Sequence, residues 1–154
     1  MARGDIKWFA QGLHDLGNKI HDLDGDDIRM GIVTNATVPG IDTAAPHWGG
    51  TGTTNFAANQ VATATGYSGP IVLGTEQWTL IAGGPRFRLT TDPTIAQDAS
   101  GFTDGYWGIF YNNTDASKRA IAYMDLGGPI GNVAGPIDTL WNGASNDVLS
   151  LTQT

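Results

Sequence analysis

Cysteine is absent from the 154 residues, which removes a disulfide framework, a thiolate metal site and a cysteine nucleophile together. Basic residues are scarce: three Lys and five Arg stand against fourteen Asp and one Glu, a net charge of −7. No Lys lies between Lys19 and Lys118, and the basic side chains form no run. The chain is therefore expected to bind no nucleic acid, whose phosphates it would repel. Long apolar runs are missing as well. No window approaches the roughly 18 apolar residues a bilayer span requires, and no basic stretch leads into an apolar run as in a secretory signal. The expectation is a soluble protein made in the cytoplasm, with no membrane partner. Glu and Lys, strong helix formers, are nearly missing, whereas 22 Gly, 7 Pro and many Thr, Asn and Asp belong to turns and strands, so most of the chain reads as β.

What is present begins with an exception to that rule. Ile6, Phe9, Leu13, Leu16, Ile20 and Leu23 recur three and four apart, which predicts one helical stripe, with Asp5 as N-cap and Gly25 as the stop. Gly12 and Gly17 each cost such a helix about 1 kcal/mol relative to Ala, so it needs something packed on its stripe. Residues 1–27 thus read as a helical arm and 28–154 as an antiparallel β-sandwich domain; a chain of this length can bury roughly 68–70% of its unfolded surface in one core. Nine short strands are expected: Ile28–Thr34, Gln60–Thr65, Ile71–Leu73, Glu76–Ala82, Arg86–Thr90, Tyr106–Tyr111, Arg119–Leu126, Ile137–Trp141 and Val148–Thr152. Gly83-Gly84 before Pro85 predicts one hairpin. The runs from Tyr106 and from Arg119 predict a second, apolar on both faces and hence either central or half covered by another chain. Asn35–Asn59 and Asp92–Asp104 read as long loops, of the kind that carry function or drape over a partner.

Catalytic and ligand motifs fail one by one. Asp22-Leu23-Asp24-Gly25-Asp26-Asp27 starts like a calcium loop, but Asp27 stands where an EF-hand needs Gly and Val33 where it needs a bidentate Glu, leaving a solvated turn as the main reading and a weak or interface ion as the other. The Gly-rich run from Trp48 to Thr53 lacks the Lys of a phosphate loop. Gly66-Tyr67-Ser68-Gly69 is one residue short of a nucleophile elbow. His14 and His21, two helical turns or about 10 Å apart, are too distant to share one metal. Glu76 has no second carboxylate assigned to it, Arg3-Gly4-Asp5 is too short an adhesion motif to weigh, and the Asn-X-Thr sequences at Asn35 and Asn112 carry no weight without a secretory signal. Catalytic residues, metals and cofactors are expected to be none. The aromatics are more telling: Trp78 and Trp107 read as core, while Trp8 beside Phe9, and Trp48 in its loop, read as contacts with another subunit.

Four stretches carry a resemblance: Gly4-Asp5-Ile6-Lys7-Trp8-Phe9-Ala10-Gln11-Gly12-Leu13, Ile32-Val33-Thr34-Asn35-Ala36-Thr37-Val38-Pro39, Ala45 through Phe56 (APHWGGTGTTNF), and Ile95 through Phe102 (IAQDASGF). Together they look like a family of tailed-bacteriophage virion structural proteins, most like the capsid decoration, or cement, proteins. That resemblance implies a jelly-roll-like fold, an outer-capsid location in the virion, the major capsid protein and copies of itself as partners in a homo-oligomer, and no enzyme activity. The expected interface is Trp8, Phe9, Leu13, Leu16, Ile20 and Trp48. The alternatives are a tail or baseplate module binding a receptor or carbohydrate through Trp48 and Trp107, and a hydrolase using dispersed Asp residues.

Overall fold

A computed structural model describes residues 6–74, 76–89 and 92–139, together with the backbone of Asp147–Ser150. The expected cap at Asp5, the Arg3-Gly4-Asp5 motif and Trp141 lie outside them. The chain is mainly β. In order it forms β1 (Ile6–Trp8), α1 (Ala10–Gly17), β2 (Ile28–Val33), β3 (Pro46–His47), β4 (Thr54–Asn55), a 3₁₀ turn at Phe56–Asn59, β5 (Ile71–Val72), β6 (Glu76–Ile81), β7 (Gly84–Leu89), β8 (Thr94–Ile95), β9 (Gly105–Asn112), β10 (Ala120–Ile130), β11 (Ile137–Asp138) and β12 (Asp147–Ser150). No described helix is long and apolar enough to cross a membrane.

The largest sheet has the order β1-β10-β9-β2-β5, and all its pairings are antiparallel. A three-stranded antiparallel sheet runs β12-β7-β6, and two-residue pairs join β8 to β11 and β3 to β4. Side chains from both larger sheets meet in one apolar cluster, with Ile28, Met30, Ile32, Phe110, Ala122 and Met124 from the first and Phe87 and Leu89 from the second. Each fully buried side chain of this size contributes ~1.5–3 kcal/mol. A second cluster occupies the opposite face of the five-stranded sheet: Ile109, Tyr111, Ala120 and Tyr123 lie under Phe9, Trp48 and Phe56. The hairpin that was apolar on both faces is therefore central, and what covers its second face is the chain's own loop between β2 and β5.

The N-terminal segment departs most from expectation. Helix forms only over Ala10–Gly17, because two other demands override the three-four spacing. Ile6–Trp8 pairs with β10, Ile6 opposite Met124 and Trp8 opposite Ala122, so its backbone groups complete a sheet edge instead of a helical turn. At the other end Lys19 donates to the Leu16 carbonyl and Ile20 to that of Asp15. These two bonds form a Schellman closure that ends the helix well before Gly25. Residues 6–27 are thus woven into the sheet and the core, with Phe9 fully buried. Gly12 serves proximity: a Cβ there would stand 2.3 Å from the Ile121 carbonyl oxygen, so only glycine lets α1 lie this close to β10.

Elsewhere the strand expectations at β2, β5, β6, β7, β9 and β10 match the fold to within a few residues, whereas Gln60–Thr65 makes only isolated bridges, Val33 to Gln60 and Ala64 to Tyr67. Val61 is buried there and the buried hydroxyl of the following Tyr67 accepts the Ile32 N–H, so the segment packs without forming a ladder.

Candidate functional site

The six residues expected to meet a partner do not form one surface. Phe9 is fully buried, with its ring 4.9 Å from Tyr123 and 5.8 Å from Phe56. Trp48 is also buried, stacked on Tyr111 at 5.4 Å and 10°. Both are core residues of this chain. Trp8 is half-buried and meets Trp78 edge-on at 6.4 Å; Leu16 is partly buried against the main core and Ile20 is half-buried. Only Leu13 is exposed. The Ala10 N–H bonds the Ile41 carbonyl at 2.8 Å, bringing the loop that carries exposed Val38 and Ile41 to the start of the helix that carries Leu13. Among the described residues the most exposed large aliphatic side chain lies elsewhere: Leu80 is 81% exposed, beside Ile81 at 40%, at the tip of the β6–β7 hairpin. Sequence reasoning placed both in a strand without asking which face remained uncovered.

The Gly-rich loop is not arranged as a phosphate cradle, because four of its N–H groups are turned onto the chain itself. Trp48 donates to Lys118 O, Thr51 to Ser117 O, Thr53 to Ala45 O and Gly49 to Asn55 Oδ1. Gly50 lies so near the β9–β10 connection that a Cβ would stand 2.1 Å from Ser117 O. Glycines here allow backbone to lie on backbone. Gly66 and Tyr67 of the would-be elbow belong instead to a tight turn, Ala64–Tyr67, closed by reciprocal Ala64 and Tyr67 backbone bonds, and the Tyr67 hydroxyl accepts the Ile32 N–H inside the core at 2.9 Å. Burial pushes that phenol up to about 12.

The acidic turn is engaged in the same way. Asp22 Oδ1 accepts the Asp24 N–H and Asp24 Oδ1 the Trp78 N–H. Asp26 accepts from the Asp22 N–H and from the Asn112 amide, and Asp27 binds Arg29 and Asn113. The Arg29 guanidinium holds the Asp27 carboxyl below its ordinary value. Asp22 thus closes the turn internally, while Asp24, Asp26 and Asp27 fasten it to β6, the end of β9 and β2. Among the described residues no group of three or more His, Asp or Glu side chains is arranged to hold a metal ion.

A buried polar network lies behind that turn. Asp15, 2% exposed, accepts from Gln11 Nε2 at 2.8 Å and has Arg119 Nε at 3.8 Å; Arg119 also faces Asp115 at 3.8 Å. The Asn112 amide donates to His21 Nδ1 at 3.2 Å, while its oxygen accepts the Thr114 and Asp115 N–H groups. Burial lowers the His21 pKa, against the opposing pull of Asp15, Asp115 and Asp26. His47 is buried too, its backbone bridged to Arg119. His14, by contrast, is exposed on α1 beside Asp15, and His21 lies beyond the end of α1, so the expected spacing of two helical turns between them does not occur. With Asp15 2% and His21 4% exposed, the network is arranged to bind α1, the acidic turn and the β9–β10 connection together.

No family model matches the chain, and neither the curated proteins nor the solved structures contain a match to it.

Proposed function

We propose that this chain is a structural protein of a tailed-bacteriophage particle, a decoration protein that docks on the outer capsid surface against major capsid subunits and copies of itself. The observation that carries the reading is the β6–β7 hairpin tip. Leu80 and Ile81 are exposed at the end of β6, where it enters a turn whose Gly83 and Gly84 both have positive φ, 92° and 128°. Adjacent aliphatic side chains held out on a tight hairpin turn suit burial against a partner, where removing them from water contributes ~25 cal/mol per Å². Leu13, Val38 and Ile41 offer a second contact of the same kind. An acidic chain suits the outside of a shell, and two antiparallel sheets sharing one core support a sandwich akin to the jelly-roll clamps that the sequence resembles.

Purified protein added to capsids stripped of it should restore both density on the shell and resistance to heat. A Leu80→Asp/Ile81→Asp variant, folded by circular dichroism, should do neither. Failure of the wild-type chain to bind such capsids removes the proposal.

A further inference from the structure

We infer that the groove between the end of α1, the acidic turn and β6 is a binding site for a neutral pyranose ring, the terminal sugar of a glycan. The groove is open to solvent, encloses about 440 Å³, and is lined by Leu16, Lys19, His21, Asp22, Leu23 and Trp78. That volume falls within the ~300–1,000 Å³ usual for small-ligand sites.

Three features point to a ligand. Trp78 is half-buried and fixed, its ring against Trp8 and its backbone N–H on Asp24 Oδ1 at 3.3 Å; an aromatic held in this way offers contact area at little entropic cost. Lys19 occupies the left-handed region, φ 60°, at the position of the Schellman closure where glycine is unstrained. A lysine kept there at a backbone cost suggests that its side chain is used. His21 is 4% exposed and its Nδ1 accepts from Asn112, so the neutral ring carries its proton on Nε2, which has no hydrogen-bond partner among the described residues. A buried donor without a partner is costly, and a ligand acceptor would satisfy it.

The lining chemistry selects the ligand. Lys19 and His21 donate, Asp22 accepts, and Trp78 with Leu16 and Leu23 is apolar. A pyranose needs this combination, since each hydroxyl both donates and accepts while the ring's C–H face packs on an aromatic. An anion would meet Asp22 and a net charge of −7. A wholly apolar ligand would cover the Lys19 ammonium and leave the His21 Nε2–H unsatisfied. The site is separate from Leu80 and Ile81, so it stands or falls independently of capsid docking.

The ¹⁵N-labelled full chain is titrated with the methyl glycosides of glucose, galactose, mannose and N-acetylglucosamine, and separately with sodium phosphate, at the millimolar concentrations a single sugar requires. At least one glycoside should shift the Trp78 indole and the amides of Lys19–Leu23 saturably. Trp78→Ala should abolish the response. Lys19→Gly should weaken binding roughly tenfold while raising the melting temperature, a combination that loss of folding would not produce. Leu80→Asp should bind sugar like the wild type. The inference is overturned if no glycoside perturbs these signals, if phosphate alone does so, or if Lys19→Gly binds sugar unchanged.

Discussion

Gly31 has room for no side chain because Trp48 lies over it: a Cβ would stand 2.1 Å from Trp48 Cη2. Gly31→Ala should therefore displace the indole from Tyr111 and destabilise the isolated protein by about 1–3 kcal/mol, the usual range for overpacking. Trp48→Ala, which empties the same space, should cost about 3–5 kcal/mol. Both are read by chemical denaturation of the purified chain. If Trp48 faced a partner instead, neither change would move the isolated chain. Asn132 is a second residue whose role depends on where it sits. It is fully buried; its Oδ1 accepts the Phe102 N–H at 3.1 Å and its Nδ2 donates to Ala96 O at 2.9 Å. Asn132→Ala leaves the buried Phe102 N–H without its acceptor and hands the exposed Ala96 carbonyl to solvent, so a loss of about 1–3 kcal/mol is expected, the usual cost of one unsatisfied buried group. Amide exchange should quicken across Ala96–Phe102 before it does in β2 or β9.

At the scale of elements, the two long loops differ from simple connections. The loop after β2 becomes a second layer on the five-stranded sheet through Trp48 and Phe56. The loop from Asp92 is held by Asn132, and it pairs β8 with β11, Ile95 opposite Ile137. The β6–β7 hairpin has its own asymmetry. Near its base the edge strand β6 is covered, its Trp78 N–H taken by Asp24, whereas its tip exposes Leu80 and Ile81. Edge strands are commonly protected against stray pairing, and Asp24→Ala removes part of that protection. The variant should lose roughly 1 kcal/mol and show a greater tendency to self-associate by light scattering. An unchanged light-scattering profile at matched concentration would show that Asp24 does not guard this edge. Leu80→Asp, at the open end, should lower self-association and leave the melting temperature almost unchanged.

For the whole molecule, pH acts most directly through His21. Its ordinary pKa is 6.5 and burial lowers it in the fold, so the folded state binds fewer protons than the unfolded chain below that value. Stability is then fully present above pH 6.5 and declines as pH falls through the lowered folded value. Glu76 opposes this, since burial raises its pKa above 4.5 and its protonation on acidification favours the fold. Asp27 acts in a lower window: its pKa lies below 3.8, and the stability from its Arg29 contact is lost only as pH falls through that depressed value. Denaturation midpoints of wild type and His21→Gln, compared from pH 7.5 to pH 5, isolate the histidine: the gap between the two curves should narrow on acidification. Parallel curves would mean that His21 does not carry the dependence.

Much of the molecule was legible in local pattern. The near absence of Glu and Lys, the Gly83-Gly84-Pro85 punctuation, and the alternating or continuous apolar runs that became β2, β6, β7, β9 and β10 are properties of adjacent residues, and strand formation reads them directly. A ligand loop is read at the same level, since it needs its residues at fixed spacing. What local pattern could not rank was competition for the same side chains. The stripe from Ile6 to Leu23 satisfies a helix, but a sheet edge at β10 and a Schellman closure at Lys19 satisfied the backbone better, and only long-range contacts expressed that preference. Trp48 and Phe9 have the composition of interface anchors and of core residues alike. Tertiary structure turned both inward because the second face of the β9–β10 hairpin had to be covered, and left Leu80, whose sequence neighbourhood is no different, in water.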